Sequence, residues 1–225
     1  MYRVHLFEEL KTLLSPASLR GTRILEIGPK DGLDSRRLAS LQPNELVMID
    51  LPEKRPAVDD WRSQITCPHR HIEQNFMYMP REEYAGLGTF DLIWCTGVLY
   101  HNPEQLRFLR KLYKLLNVGG CLVLESATWR GAKGMRDGSY VEIHYPQTYR
   151  NTGTITHLPT ANAIKAWLSM VGFTRIHDSR CFEDANRDVI GQRYACFAIK
   201  TGADDADVYY GTTALNPEYR FGDSV

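Results

Sequence analysis

The chain has 225 residues, 43% of them apolar, with 27 basic and 27 acidic side chains and a formal net charge of zero. That length suits one globular domain with short extensions. The balanced charge lacks the global basic excess of a nucleic-acid binder, and no apolar run reaches the roughly 18 residues of a membrane span. Residues 1–21 read as an N-terminal helix, and the opening "MYRVHLFEELK" carries acids where a secretory leader has an apolar core. "TRILEIG" (22–28) is a short apolar run ending in glycine, the pattern of a buried parallel strand. "DSRRLASL" (34–41) reads as a helix with Leu38 and Leu41 inward and Asp34 as its N-cap. "NELVMIDL" (44–51) is a second strand, "PAVDDWRSQI" (56–65) a helix, and "RHIEQNF" (70–76) a short third strand and loop.

"TFDLIWCTG" (89–97) is a fourth strand. In "PEQLRFLRKLYKLLNVGG" (103–120), Leu106, Leu109, Tyr113 and Leu116 recur every three or four residues, which predicts a helix with Pro103 in its first turn and Gly119-Gly120 at its end. "CLVLES" (121–126) is a fifth strand, "TANAIKAWLSMVGF" (160–173) a helix, and "TRIHDSR" (174–180) and "QRYACFAIK" (192–200) the last two strands. Strands alternating with helices predict an α/β fold whose parallel sheet is covered on both faces and binds ligands at the carboxyl ends of its strands. Two segments fall outside this rhythm: an aromatic- and histidine-rich insert at 127–158, and a tail at 201–225 that orders only if its tyrosines dock. The five cysteines form no CxxC pair, and Cys95, Cys121 and Cys196 sit in apolar runs. They are expected as reduced core residues of a cytoplasmic protein, not as disulfides or metal ligands.

The loop after the first strand reads Gly28-Pro29-Lys30-Asp31-Gly32. Lysine stands where the dinucleotide fingerprint has its middle glycine, which argues against a pyrophosphate on the helix N-terminus. Asp50 ends the second strand 18 residues after Gly32, where a carboxylate accepts hydrogen bonds from both hydroxyls of a ribose.

With "FDLIWCTGVLYHNPEQLRFLRKLYKLLNVGGCLVLES" added, the order of segments resembles the class I S-adenosylmethionine (SAM) dependent methyltransferases. "ILEIGPKDG" matches their first motif, "LVMID" the second, "FDLIWCTGVLYH" the fourth and "LNVGGCLVLES" the region after it. "GVLYHNPEQL", "YRNTGTITHLPTANAIKAWLSMVGF" and "QRYACFAIK" further resemble the tRNA wobble-uridine carboxymethyltransferases and their methyltransferase relatives, out to residue 200. The resemblance implies a Rossmann-like class I fold: a mostly parallel seven-stranded sheet with helices on both faces. It implies a methyltransferase domain over 22–200, with 127–158 covering the substrate. It also assigns the site. Glu26 lies near the amino group of SAM, Gly28 and Gly32 shape the loop around its methionine part, and Asp50 holds the ribose. Leu51, Asn75 and Phe76 meet the adenine, while Thr96 and Gly97 flank the methionyl chain. Tyr100 and Arg193 match the relatives' contacts to the extra carboxylate of carboxy-SAM, whereas the only upstream lysine, Lys11, does not match their lysine motif.

A methyl on a sulfonium is already activated, so the enzyme mainly positions the acceptor and supplies a base when a hydroxyl is methylated. His101, which follows the fourth strand, and His144 and His157 of the insert are the candidate bases. Tyr140, Tyr149 and Arg150 of the insert, with Arg193, are the candidate acceptor contacts. The expected function is methyl transfer from SAM to a small molecule or saccharide, on oxygen, with no membrane partner and with a homodimer left open. One alternative is a tRNA-modifying methyl- or carboxymethyltransferase using Arg107, Arg110, Lys111 and Lys114 as a basic helix face. The other is a non-catalytic SAM-binding protein.

Overall fold

The computed structural model describes residues 2–52, 60–129, 138–144, 155–182 and 193–202. Helix α1 (Tyr2–Leu13) buries Leu6, Phe7 and Leu10 on one side. The N-terminal segment is not one helix: the Ser15 hydroxyl accepts the Ser18 N–H at 3.3 Å and opens a separate short helix α2 (Pro16–Leu19), with Pro16 in its first turn. The chain then alternates as expected. Strand β1 (Arg23–Ile27) leads to α3 (Leu33–Ala39) and β2 (Glu45–Asp50). After β3 (His69–Glu73) come a 3-10 turn (Phe76–Tyr78), helix α4 (Arg81–Gly86) and β4 (Phe90–Thr96). A second 3-10 turn (Leu99–His101) precedes α5 (Gln105–Lys114) and β5 (Leu116–Ala127). The hairpin β6 (Val141–His144) and β7 (Thr156–Pro159) precedes α6 (Ala161–Met170), β8 (Arg175–Asp178) and β9 (Arg193–Ile199).

Seven strands form one sheet in the order β3-β2-β1-β4-β5-β9-β8. The pairings from β3 to β5 are parallel, and β9 runs antiparallel to both neighbours. Alternate residues feed two cores, because successive side chains of a strand point to opposite faces. Leu25, Val47, Ile49 and Ile93 pack with Phe108 and Leu112 of α5 and with Ile164 and Leu168 of α6. Ile24, Leu46, Met48 and Trp94 pack with Leu6, Phe7 and Leu10 of α1 and with Leu38 of α3. The expected Rossmann-like, mostly parallel seven-stranded sheet with helices on both faces is the fold.

Several boundaries differ. The helix expected over 103–120 ends at Lys114, and Leu116 already pairs with Phe90 in the sheet. Asn117–Gly120 then bulge, because the next paired residues are Leu92 and Cys121. Asp34 is not the N-cap of α3: Gly32 holds that position at φ +68, and Asp34 is buried in the first turn. Of the helix expected over 56–65, residues 60–62 are helical and 56–59 lie outside the described residues. Of the insert, 127–129, 138–144 and 155–158 are described and contribute to a two-stranded sheet separate from the main one, while Tyr149, Arg150 and the tail from residue 203 lie outside the described residues. Among the described residues, no helix is long and apolar enough to cross a membrane.

Candidate functional site

The chain builds β1, β2 and β3 to one side and then crosses back to β4, so the sheet reverses its winding between β1 and β4. Open α/β sheets form a crevice at that switch point, beyond the carboxyl ends of the strands. A cavity of about 560 Å³ lies there, within the range of small-molecule sites. Gly28, Asp50, Leu51, Asn75, Phe76, Thr96, Gly97, Tyr100, His101 and Arg193 all line it. Residues far apart in sequence are thus gathered at one edge of the sheet, as the sequence implied.

At one end stands Asp50. Its Oδ1 accepts the Leu51 N–H at 2.8 Å and its Oδ2 accepts the Lys30 N–H at 3.3 Å. Lys30 adopts φ +54, the left-handed conformation that glycine takes without penalty, so the loop keeps its path at a cost of about 1 kcal/mol. Beyond Asp50, the Asn75 side chain accepts the Met77 N–H at 3.0 Å and opens the 3-10 turn whose Phe76, Met77 and Tyr78 form the adjoining wall.

At the other end lies Gly97, with φ +76. A Cβ there would sit 3.1 Å from Arg3 Nη2 and 3.9 Å from Arg193 Nη2, so two guanidinium groups converge over a bare backbone. Arg193 donates through Nε to the fully buried Glu125, which also accepts the Tyr2 hydroxyl at 3.2 Å. Its guanidinium carbon lies 5.2 Å and 5.7 Å from the ring centres of Tyr2 and Tyr100. Burial disfavours charge on Arg193, but the Glu125 carboxylate outweighs it and raises its pKa, so this arginine stays charged. Arg3 donates through Nη1 to Asp34 Oδ2 at 3.0 Å. Asp34 also accepts from Arg37 at 2.7 Å, Trp94 Nε1 at 3.2 Å and Thr96 Oγ1 at 3.4 Å. This buried carboxylate ties α1, α3 and β4 together under the cavity.

His101 lines the cavity from the turn after β4, with its ring 4.0 Å from that of Tyr100. Among the described residues, the other expected site residues lie outside the lining. Glu26 points to the α3 side of the sheet, 1% exposed, and its Oε2 accepts the Ser35 hydroxyl at 2.6 Å. Burial pushes its pKa up to about 8, against the Ser35 bond and with help from Asp34, which keeps it protonated at neutral pH. Gly32 turns the chain into α3: a Cβ there would lie 2.1 Å from the Trp61 ring. His144 lies 3.0 Å from Glu142 on β6, Tyr140 packs edge-on against Trp129, and the His157 carbonyl accepts from Gln105 at 2.7 Å. Sequence reasoning missed Tyr2, Arg3, Lys30, Gln74, Tyr78 and Asn102, which also line the cavity. Two residues of the basic helix face have partners within the chain. Arg107 pairs with Glu104 at 3.0 Å, and the Lys111 ammonium turns inward to the carbonyls of Phe76 and Met77.

Residues 2–178 match a family model described as a methyltransferase domain. A "tRNA U34 carboxymethyltransferase" of Alcanivorax borkumensis is 31% identical over 79% of this chain and 52% of its own length. One of the same name from Wolinella succinogenes is 30% identical over 68% of this chain and 52% of its own. The chain thus spans about half the length of the curated relatives it matches. Among solved structures, the N-terminal domain of EvdMO1, crystallised with SAH and D-fucose, superposes with a TM-score of 0.65 at 18% identity, covering 87% of this chain and 83% of that one. An S-adenosylmethionine dependent methyltransferase from Mesorhizobium loti gives 0.63 at 15% identity, covering 87% and 97%. At such identities these two show the shared fold.

Proposed function

The chain belongs to the methyltransferase-domain family, and from that premise we propose that it transfers a methyl group from SAM to a small-molecule or saccharide acceptor, on oxygen. The observation that carries this reading is the cavity at the switch point, with the Asp50 carboxylate at one end and the bare Gly97 backbone at the other. The residues present fit SAM. The Asp50 oxygens keep acceptor capacity for ribose hydroxyls beyond their two backbone donors. Leu51, Asn75 and Phe76 offer an apolar and amide wall for the adenine. Gly28, Thr96 and Gly97 leave room for the methionyl chain. When bound, SAM supplies a methyl group on a positively charged sulfur.

The chain's own residues then bind and orient. Hydrogen bonds within the chain hold the Asp50 and Asn75 side chains in place, which limits the ordering that binding must supply. His101 is the one candidate base that lines the cavity, and a hydroxyl acceptor there loses its proton to the imidazole. The inward turn of Lys111 and the pairing of Arg107 with Glu104 favour a small acceptor over a nucleic-acid backbone.

A second reading rests on Arg3 and Arg193 facing Gly97. Charge-assisted contacts from two guanidinium groups suit an anionic group at that end, as a carboxylate-bearing donor would bring. Carboxymethyl transfer, the activity in the names of the curated relatives, is therefore the alternative. Mass spectrometry of the nucleoside released when the purified protein is denatured separates the two. SAM or S-adenosylhomocysteine (SAH) supports methyl transfer, carboxy-SAM supports the alternative, and an unrelated cofactor overturns both.

A further inference from the structure

The half-buried Lys111, which a sequence reading counts as surface charge, performs an unusual task. Its Nζ donates to the Phe76 carbonyl at 2.7 Å and to the Met77 carbonyl at 2.9 Å. The same ammonium lies 5.0 Å from the Phe76 ring centre and 4.8 Å from that of Tyr84. Tyr84 in turn donates its hydroxyl to the Lys111 carbonyl at 2.7 Å. Phe76 is further held edge-on by Phe108 at 5.4 Å. Both Phe76 and Phe108 line the cavity.

A single 3-10 turn has little strength of its own. Its hydrogen bonds are few and poorly aligned, and the carbonyls at its end lack partners within the turn. The turn Phe76–Tyr78 has Asn75 at its start and Lys111 at its end, a cation where a helical segment carries partial negative charge. The carbonyls that a lysine takes up are no longer free to draw the turn toward water.

We infer that Lys111 is a positioning residue that clamps the turn Phe76–Tyr78 from α5 and so sets the wall against which the adenine of the methyl donor packs. The inference rests on the proposed function for the identity of the ligand, but the clamp itself consists of contacts within the chain. Lys111 is not part of the cavity lining and acts through Phe76 and Met77.

The test compares the wild type with Lys111→Gln, Lys111→Met and Lys111→Arg. Hydrogen exchange of the backbone over residues 74–79 is read without ligand, and affinity is read by calorimetry with SAH and with 5′-methylthioadenosine, which lacks the amino-acid end. In the Gln and Met variants, exchange over 74–79 rises about tenfold while other segments keep their protection. Both ligands lose affinity by the same factor, about tenfold, and Arg restores much of the loss because it keeps the charge and the donors. Unchanged exchange over 74–79 in both neutral variants overturns the clamp. Locally faster exchange with unchanged affinity for both ligands overturns the positioning role. A loss confined to SAH, with 5′-methylthioadenosine unaffected, overturns the assignment to the adenine wall. Should the wild type bind neither ligand, the proposed function fails, and the selective rise in exchange alone supports the clamp.

Discussion

Glu26→Gln probes a carboxyl that the fold holds in its neutral form. Glu26 is 1% exposed and accepts the Ser35 hydroxyl at 2.6 Å. Burial is the largest influence on it, and its pKa rises from 4.5 to about 8. A carboxyl that keeps its proton longer in the folded than in the unfolded chain stabilises the fold fully below the unfolded pKa. That contribution is lost as pH rises toward the folded pKa, because the unfolded chain ionises and the folded chain does not. The window here is therefore roughly pH 4.5 to 8. At about 1.4 kcal/mol per pH unit, the wild type loses roughly 2–3 kcal/mol between pH 5 and pH 7 through this group. Glutamine keeps the shape and the Ser35 contact but does not titrate. Urea unfolding followed by tryptophan fluorescence at pH 5, 6 and 7 measures the stability of both proteins. The stability of the wild type relative to the variant falls by roughly 2–3 kcal/mol across that range. A difference that stays constant within about 0.5 kcal/mol refutes the reasoning, since it means that Glu26 titrates alike in both states.

Asp50→Ala weakens SAH binding by about 1.5–3 kcal/mol, the scale of lost hydrogen bonds to a charged group, and calorimetry reads it directly. Arg193→Leu leaves the fully buried Glu125 with the Tyr2 hydroxyl as its side-chain partner among the described residues and lowers stability by roughly 3 kcal/mol, visible as a lower urea midpoint. Gly32→Ala forces a left-handed conformation on alanine and drives its Cβ into the Trp61 ring, and the summed strain and overpacking cost roughly 2–5 kcal/mol in the same assay. His101→Ala leaves SAH affinity within about twofold but slows methyl transfer by roughly 10²–10⁴-fold if it takes the acceptor's proton.

Much of this architecture was legible because each strand is short, apolar and bounded by glycine or a polar turn. Ile24, Leu25 and Ile27, or Leu92 to Cys95, have no solvated face, and only burial between helix layers satisfies such runs. The Asp50 end of the cavity was legible for the same reason: a glycine loop after β1 and an acid ending β2 are neighbours in any sheet wound this way. The end of α5 was not. Leu116 falls on the helical spacing, and Gly119-Gly120 resembles a helix stop, yet Leu116 pairs in the sheet and the glycines form a bulge anchored by the Gly119 N–H to the Lys200 carbonyl at 2.7 Å. The far end of the cavity was half legible. Arg193 follows from its place in β9, but Tyr2 and Arg3 reach the site only because α1 folds back across the sheet, a contact with no local pattern. The direction of the Glu26 side chain was not legible either. An acid beside the glycine loop reads as a ligand contact, and it is the pleat that turns this one toward Ser35.

The central claim is that the crevice between Asp50 and Gly97 holds an adenosine-bearing methyl donor. Calorimetric titration of the purified chain with SAH, alongside Asp50→Ala, tests it most directly. The account predicts one site per chain with micromolar affinity, near −8 kcal/mol, and a loss of about tenfold or more in the variant. No binding by the wild type at about 1 mM SAH, or equal affinity in the two proteins, contradicts it.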